Sequence, residues 1–145
     1  FPMFVGLQRA ARNTGQSMHL ILCGWFSHPE VRDAYLQTAA EVAPDIRLSI
    51  VDGLDDYWRV ASYHAANLFV SLADSIQETF GLTPLEAMAS GLPVIAANWN
   101  GYRDIVTSDV GFLTPTAMVR RATGGLSEQY ASGQLNYDSF LALAN

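Results

Sequence analysis

The sequence predicts an α/β domain in which helices cover both faces of a parallel sheet. Three observations carry that reading. Short apolar runs alternate with amphipathic segments along the 145-residue chain. The runs are apolar at nearly every position rather than at every second one, the pattern of strands buried on both sides. Small and polar residues gather directly after the runs, at Gly24 to Phe26, Asp52 and Gly53, Ala73 to Leu82, and Asn98 to Asp104. One edge of the sheet, at the carboxyl ends of the strands, therefore collects the residues that suit a ligand.

The elements follow in order. Pro2 to Arg12 reads as a helix and Met18 to Cys23 as a strand. Pro29 to Val42 is the next helix, with Pro29 placed where an amide hydrogen would lack an acceptor in any case. Ile46 to Val51 is a strand, and Asp55 to Ala65 a helix whose acidic start favours the positive end of the helix dipole. Strands at Asn67 to Ser71 and Pro93 to Ala97 flank a helix over Thr83 to Ser90, and a short strand follows at Gly111 to Leu113. In that helix Thr83 reads as N-cap, Pro84 as the first helical residue and Glu86 as the third, a capping-box pattern, with Gly91 as the stop. Arg120 to Gly125 reads as a break and Leu135 to Ala144 as a terminal helix. One domain is expected, because a chain of this size buries about two thirds of its unfolded surface.

Composition removes several function classes. Eight basic residues against fourteen acidic ones give a net charge of −6 without any basic run, so no nucleic acid partner is expected. Every basic residue is Arg; with no Lys there is no Schiff-base amine within these residues. The single Cys23 cannot form an internal disulfide and reads, in its apolar run, as a buried thiol of a reducing compartment. No apolar run approaches the roughly eighteen residues of a membrane span, and no signal peptide opens the chain. His19, His28 and His64 lack metal-ligand spacing, and Ser75 and Ser90 lack a nucleophile elbow. Trp25 and Phe26 suit either a cleft wall or core packing.

The most informative stretch runs from Ala73 to Ala97. Glu78 and Glu86 stand eight positions apart around Phe80-Gly81, after one strand and at the start of a helix. A helix start offers unpaired amides and about half a positive charge, so an anion such as phosphate near Leu82 and Thr83 is stabilised without a basic side chain. Gly81 lets the backbone turn tightly and approach a ligand closely. A carboxylate accepts the two hydrogen bonds that vicinal hydroxyls donate. The plain alternative is that Glu86 only closes a capping box and Glu78 is a solvated loop residue.

The string from Glu78 to Ala97, Glu78-Thr79-Phe80-Gly81-Leu82-Thr83-Pro84-Leu85-Glu86-Ala87-Met88 and onward through Gly91 and Pro93, resembles the donor-site signature of the retaining family-4 (group 1) glycosyltransferases of the two-domain GT-B type. The likeness extends from about Ile46 to Leu113: a strand ending at Asp52-Gly53, a helix ending Tyr63 to Asn67 with Asn67 where Asp is usual, then the acidic loop. Asn100-Gly101 stands where the family has two glycines, Asp104 keeps the acidic position, and Gly111-Phe112-Leu113 resembles the closing strand. The implied fold is a Rossmann-like parallel sheet, one incomplete GT-B domain over residues 1–145.

The resemblance implies roles for particular residues. Glu78 would sit beside the donor sugar and its reacting carbon, and Glu86 would bind the ribose hydroxyls. The amides of Phe80, Gly81 and Leu82 would face the sugar, those near Leu82 and Thr83 the diphosphate, and Asp52 or Gly53 would give backbone contacts to the base. The substrate would be a nucleotide-diphosphate sugar, with no cofactor and no metal. An Arg and a Lys of a basic loop ahead of the first helix would stabilise the leaving diphosphate. Phe1-Pro2 begins where that loop would end, so the chain is expected to be a C-terminal piece lacking the first strand, the basic loop and the N-terminal domain that binds a sugar, lipid or other glycan acceptor. Such a piece is expected to be inactive alone, and the parent enzyme to be cytoplasmic or membrane-peripheral. Rival readings are another GT-B enzyme, such as a sugar-nucleotide epimerase or a phosphorylase, and a non-catalytic binding or assembly module.

Overall fold

The computed structural model describes residues 2–73 and 80–116. The chain divides into two compact units, Phe1–Thr114 and Pro115–Asn145, and every element below belongs to the first. The expected break at Arg120 to Gly125 and the helix at Leu135 to Ala144 lie outside the described residues.

Helix α1 (Pro2–Thr14) leads to β1 (Met18–Gly24), α2 (Pro29–Val42), β2 (Ile46–Asp52), α3 (Asp56–Ala65) and β3 (Phe69–Ser71). Then come α4 (Leu82–Ala89), β4 (Val94–Ala97), a single-turn α5 (Tyr102–Ile105) that the sequence pattern does not announce, and β5 (Gly111–Thr114). Within the described residues the predicted helices and strands are all present, with ends moved by a few residues. Asp55 caps α3, its carboxylate accepting from the Tyr57 amide at 2.8 Å, as an acid at that position should.

Among the described residues all strand pairs are parallel, but they form two ladders rather than one continuous sheet. β1 pairs with β2 from Met18↔Ile46 to Gly24↔Asp52; β3, β4 and β5 form the second ladder in that order. Among the described residues no ladder joins β1 to β3.

Each ladder has its own core. Phe4 of α1, Ala39 of α2 and Ala43 just after it pack with Leu20, Leu22, Ile46 and Leu48 of the first pair. Ala87, Val94, Ala96, Ala97, Tyr102 and Val106 form the second, joined by Tyr63 and Phe69. Helix α3 is common to both, lying against β1 and β2 while its Tyr63 enters the second core. Phe26 belongs to packing rather than to a cleft, with its ring edge-on to Tyr35 at 5.4 Å, whereas Trp25 is exposed.

The expectation of a buried Cys23 is corrected: the thiol is exposed. Side chains alternate along a strand, and Cys23 shares its face of β1 with the exposed His19, while Leu20 and Leu22 point to the core. Helix α1 is tied down by the buried Gln8, whose amide donates to the Asp45 carboxylate and whose carbonyl accepts from the Asp45 amide at 3.0 Å. Arg12 adds an ion pair to the same carboxylate at 3.1 Å. The Gln8 hydrogen bond first, and Arg12 second, hold the Asp45 carboxyl below the usual carboxylate range.

Candidate functional site

The residues that converge are those at the start of α4 and on the facing side of α3. Phe80 and Gly81 lead into α4, Leu82 and Thr83 form its first two positions, and Pro84 is the third. A proline is tolerated there because the first-turn amides have no intrahelical acceptor. The capping box expected of Thr83 and Glu86 is corrected. The N-cap is Gly81, at φ 84° and ψ 63°, with no side-chain cap bond. Glu86 is thus one turn deeper in the helix, free of any capping duty.

Gly81 is required on two grounds. Its φ lies in the left-handed region, and a Cβ there would come within 2.5 Å of two ring carbons of the fully buried Tyr102. Tyr102 is in turn tied to β3 by a 3.0 Å hydrogen bond between its hydroxyl and that of Ser71. The turn that presents the Leu82 and Thr83 amides therefore rests on a core aromatic, while Phe80 and Leu82 themselves are exposed.

Glu86 projects toward α3, where the Tyr63 hydroxyl donates to its Oε2 at 2.9 Å and lies 3.4 Å from the Thr83 carbonyl. Arg59, Val60, Tyr63, Glu86, Ala89 and Ser90 line a cavity of about 260 Å³ between the two helices. Burial, and then the hydrogen bond to the Glu86 carboxylate, push the Tyr63 phenol far above its usual range, so it stays a proton donor at neutral pH. Arg59 is engaged with Asp56 at 2.8 Å. The arrangement is an anchored carboxylate beside a cluster of first-turn helix amides, which suits an uncharged polyol joined to an anionic group.

The other predicted residues fall as follows. Asp52 and Gly53 stand at the carboxyl end of β2, on the other ladder; Asp52 accepts from the Leu54 amide at 2.9 Å, and the Gly53 amide donates to the Gly24 carbonyl at 3.1 Å. That leaves the Gly53 carbonyl rather than its amide for a ligand. Glu78 lies outside the described residues. Asn100 adopts φ 42° ahead of the buried Gly101, and Asp104 is exposed on α5. A larger cavity of about 550 Å³, lined by Met88, Pro93, Asp109 and Gly111 among others, opens at the amino ends of β4 and β5, opposite the edge where parallel sheets bind ligands. Among the described residues no three His, Cys, Asp or Glu side chains cluster as metal ligands, and no helix is long and apolar enough to cross a membrane. Tyr63 and Tyr102 help build the site although sequence reasoning gave neither a site role; Tyr63 entered only as the start of the family-like helix end Tyr63 to Asn67, and that motif was the signal available for it.

The fold is a parallel α/β domain with polar groups at the carboxyl end of β2 and first-turn amides at the start of α4. The chain belongs to the glycosyl transferases group 1 family, whose pattern it matches over residues 7–130. It is 36% identical over 91 residues to a D-inositol 3-phosphate glycosyltransferase of Corynebacterium glutamicum, covering 62% of this chain and 21% of that protein. It is 39% identical over 67 residues to a phosphatidyl-myo-inositol mannosyltransferase of Propionibacterium freudenreichii, covering 46% of this chain and 17% of that protein. A lipopolysaccharide core biosynthesis mannosyltransferase of Rhizobium meliloti is 51% identical over 45 residues, 31% of this chain and 12% of that protein. The matched stretch thus spans between about a tenth and a fifth of the length of these curated relatives.

Proposed function

We propose that this chain is the donor-binding part of a retaining GT-B glycosyltransferase that takes a nucleotide-diphosphate sugar. The observation that carries the reading is Glu86: its carboxylate is held at 2.9 Å by Tyr63 at the mouth of the α3–α4 groove, one turn after the Leu82 and Thr83 amides. In this reading Glu86 receives the ribose hydroxyls and those amides the diphosphate, with Phe80 and Gly81 against the sugar. Glu78, just before them in the sequence, serves the reacting carbon, and the backbone of Asp52 or Gly53 faces the base. The glycosyl group passes to the acceptor on the face from which the diphosphate departs. The matched relatives are named as transferases of glycosyl, mannosyl or sulfoquinovosyl groups, and transfer of a sugar is the reaction class this reading assigns.

The two ladders support a further part of the proposal. A doubly wound sheet places its first strand centrally, between the second and the fourth. β2-β1 on one side and β3-β4-β5 on the other fit that order around one more parallel strand, which we assign to polypeptide preceding Phe1, with the basic loop after it and the acceptor domain beyond.

The test is Glu86→Ala in the full-length enzyme. Loss of hydrogen bonds to a charged group should weaken donor binding about 10- to 100-fold. An unchanged donor affinity would remove the ribose role.

A further inference from the structure

We propose that Tyr63 is a positioning residue for the donor site: its phenol holds the Glu86 carboxylate in the orientation that receives two vicinal hydroxyls. The inference rests on the reading of Glu86 as the ribose ligand and adds to it a residue on a different element.

The geometry is asymmetric in a telling way. The Tyr63 ring is half-buried and packed on Phe69 at 6.0 Å between centroids, within the core of the second ladder. Glu86 borders the open groove. A rigid, core-anchored donor therefore fixes a flexible acceptor, not the reverse. The phenol reaches Oε2 at 2.9 Å and the Thr83 carbonyl at 3.4 Å, so one hydroxyl spans the first turn of α4 and the carboxylate one turn on. A carboxylate has about four acceptor sites on two oxygens. Tyr63 occupies one of those on Oε2, leaving acceptor capacity on both oxygens for the two hydroxyls of a ribose.

The fixed carboxylate also matters to cost. A long acidic side chain loses rotamer freedom when a ligand orders it; where Tyr63 has already ordered it, that loss precedes binding. Tyr63 keeps its proton for this task, since burial and the neighbouring carboxylate both oppose ionisation. The phenol makes no contact with the reacting carbon in this scheme, so its effect should appear in donor binding and not in turnover.

The experiment is steady-state kinetics of full-length enzyme carrying Tyr63→Phe, Glu86→Ala or both, with the sugar donor varied. Tyr63→Phe keeps the ring against Phe69 and deletes only the hydroxyl. It should raise the donor KM about three- to tenfold with kcat at saturating donor unchanged, and it should add nothing in the Glu86→Ala background. A donor KM that Tyr63→Phe leaves unchanged, or an equal loss with and without Glu86, would overturn the positioning role while Glu86→Ala alone still shows the ribose contact. If Glu86→Ala itself leaves the donor KM unchanged, the ribose reading falls and this inference with it.

Discussion

Gly81 and Tyr102 fix one another: the glycine presents its bare Cα to the tyrosine ring, and a Cβ there would lie 2.5 Å from two ring carbons. The ring is buried and braced through its hydroxyl to Ser71. The turn that starts α4 is therefore built on the core.

Gly81→Ala should destabilise the domain by about 2–5 kcal/mol, combining left-handed backbone strain with displacement of a packed aromatic ring. Gly91→Ala is the matched control. Gly91 has φ 79°, but a Cβ added to it would meet nothing within 4 Å, so only the strain of about 1–2 kcal/mol applies. Urea unfolding of the two variants separates the effects; equal losses would remove the Tyr102 contact as a cause.

Tyr102→Phe tests the brace from the other side. It deletes the 3.0 Å bond to Ser71 and should cost about 1 kcal/mol in urea unfolding. Ser71→Ala should cost little more in the Tyr102→Phe background, because the pair shares one hydrogen bond. Fully additive losses would mean the two hydroxyls act separately.

Stability should fall in acid partly through Asp45. Its carboxyl is held below its unfolded value by Gln8 and Arg12, so the contribution is complete above the ordinary carboxylate value of about 3.9 and is lost as pH falls through the folded value. The stability gap between the protein and its Asp45→Asn variant should be widest at neutral pH and narrow below about pH 4. A gap that stays constant down to about pH 2 would contradict this linkage.

The order of elements was legible because it follows from apolar periodicity and from local signals such as Pro29 and Asp55, which act over a few residues. The start of α4 was misread by local chemistry alone. Thr83 and Glu86 satisfy a capping-box pattern, yet Gly81, packed on Tyr102, sets the boundary two residues earlier, and that contact spans residues far apart in sequence. The same holds for Glu86 and Tyr63, on different helices 23 positions apart. Cys23 misled because an apolar run says nothing of which strand face a helix covers.

The 145-residue chain alone should transfer no labelled sugar from any nucleotide-diphosphate donor. Leaving-group stabilisation calls for fixed cations, which the proposed reading assigns to the basic loop, whereas Arg59 in the α3–α4 groove is a partly exposed side chain paired with Asp56 at the surface. Measurable transfer by the purified chain would contradict the division of labour proposed here.

If Glu86 receives the ribose of the donor nucleotide, as proposed, its carboxylate and the ribose hydroxyls form one interaction, which a ligand-variant cycle reads out. Calorimetric titration of full-length enzyme and its Glu86→Ala variant would use the preferred nucleoside diphosphate and its 2′,3′-dideoxy analogue. Deleting the hydroxyls or the carboxylate should each weaken binding by about tenfold or more, and deleting both should be no worse than deleting one. Independent, multiplying losses, in which the dideoxy analogue binds more weakly than the parent nucleotide by the same factor with and without the Glu86 carboxylate, would contradict it.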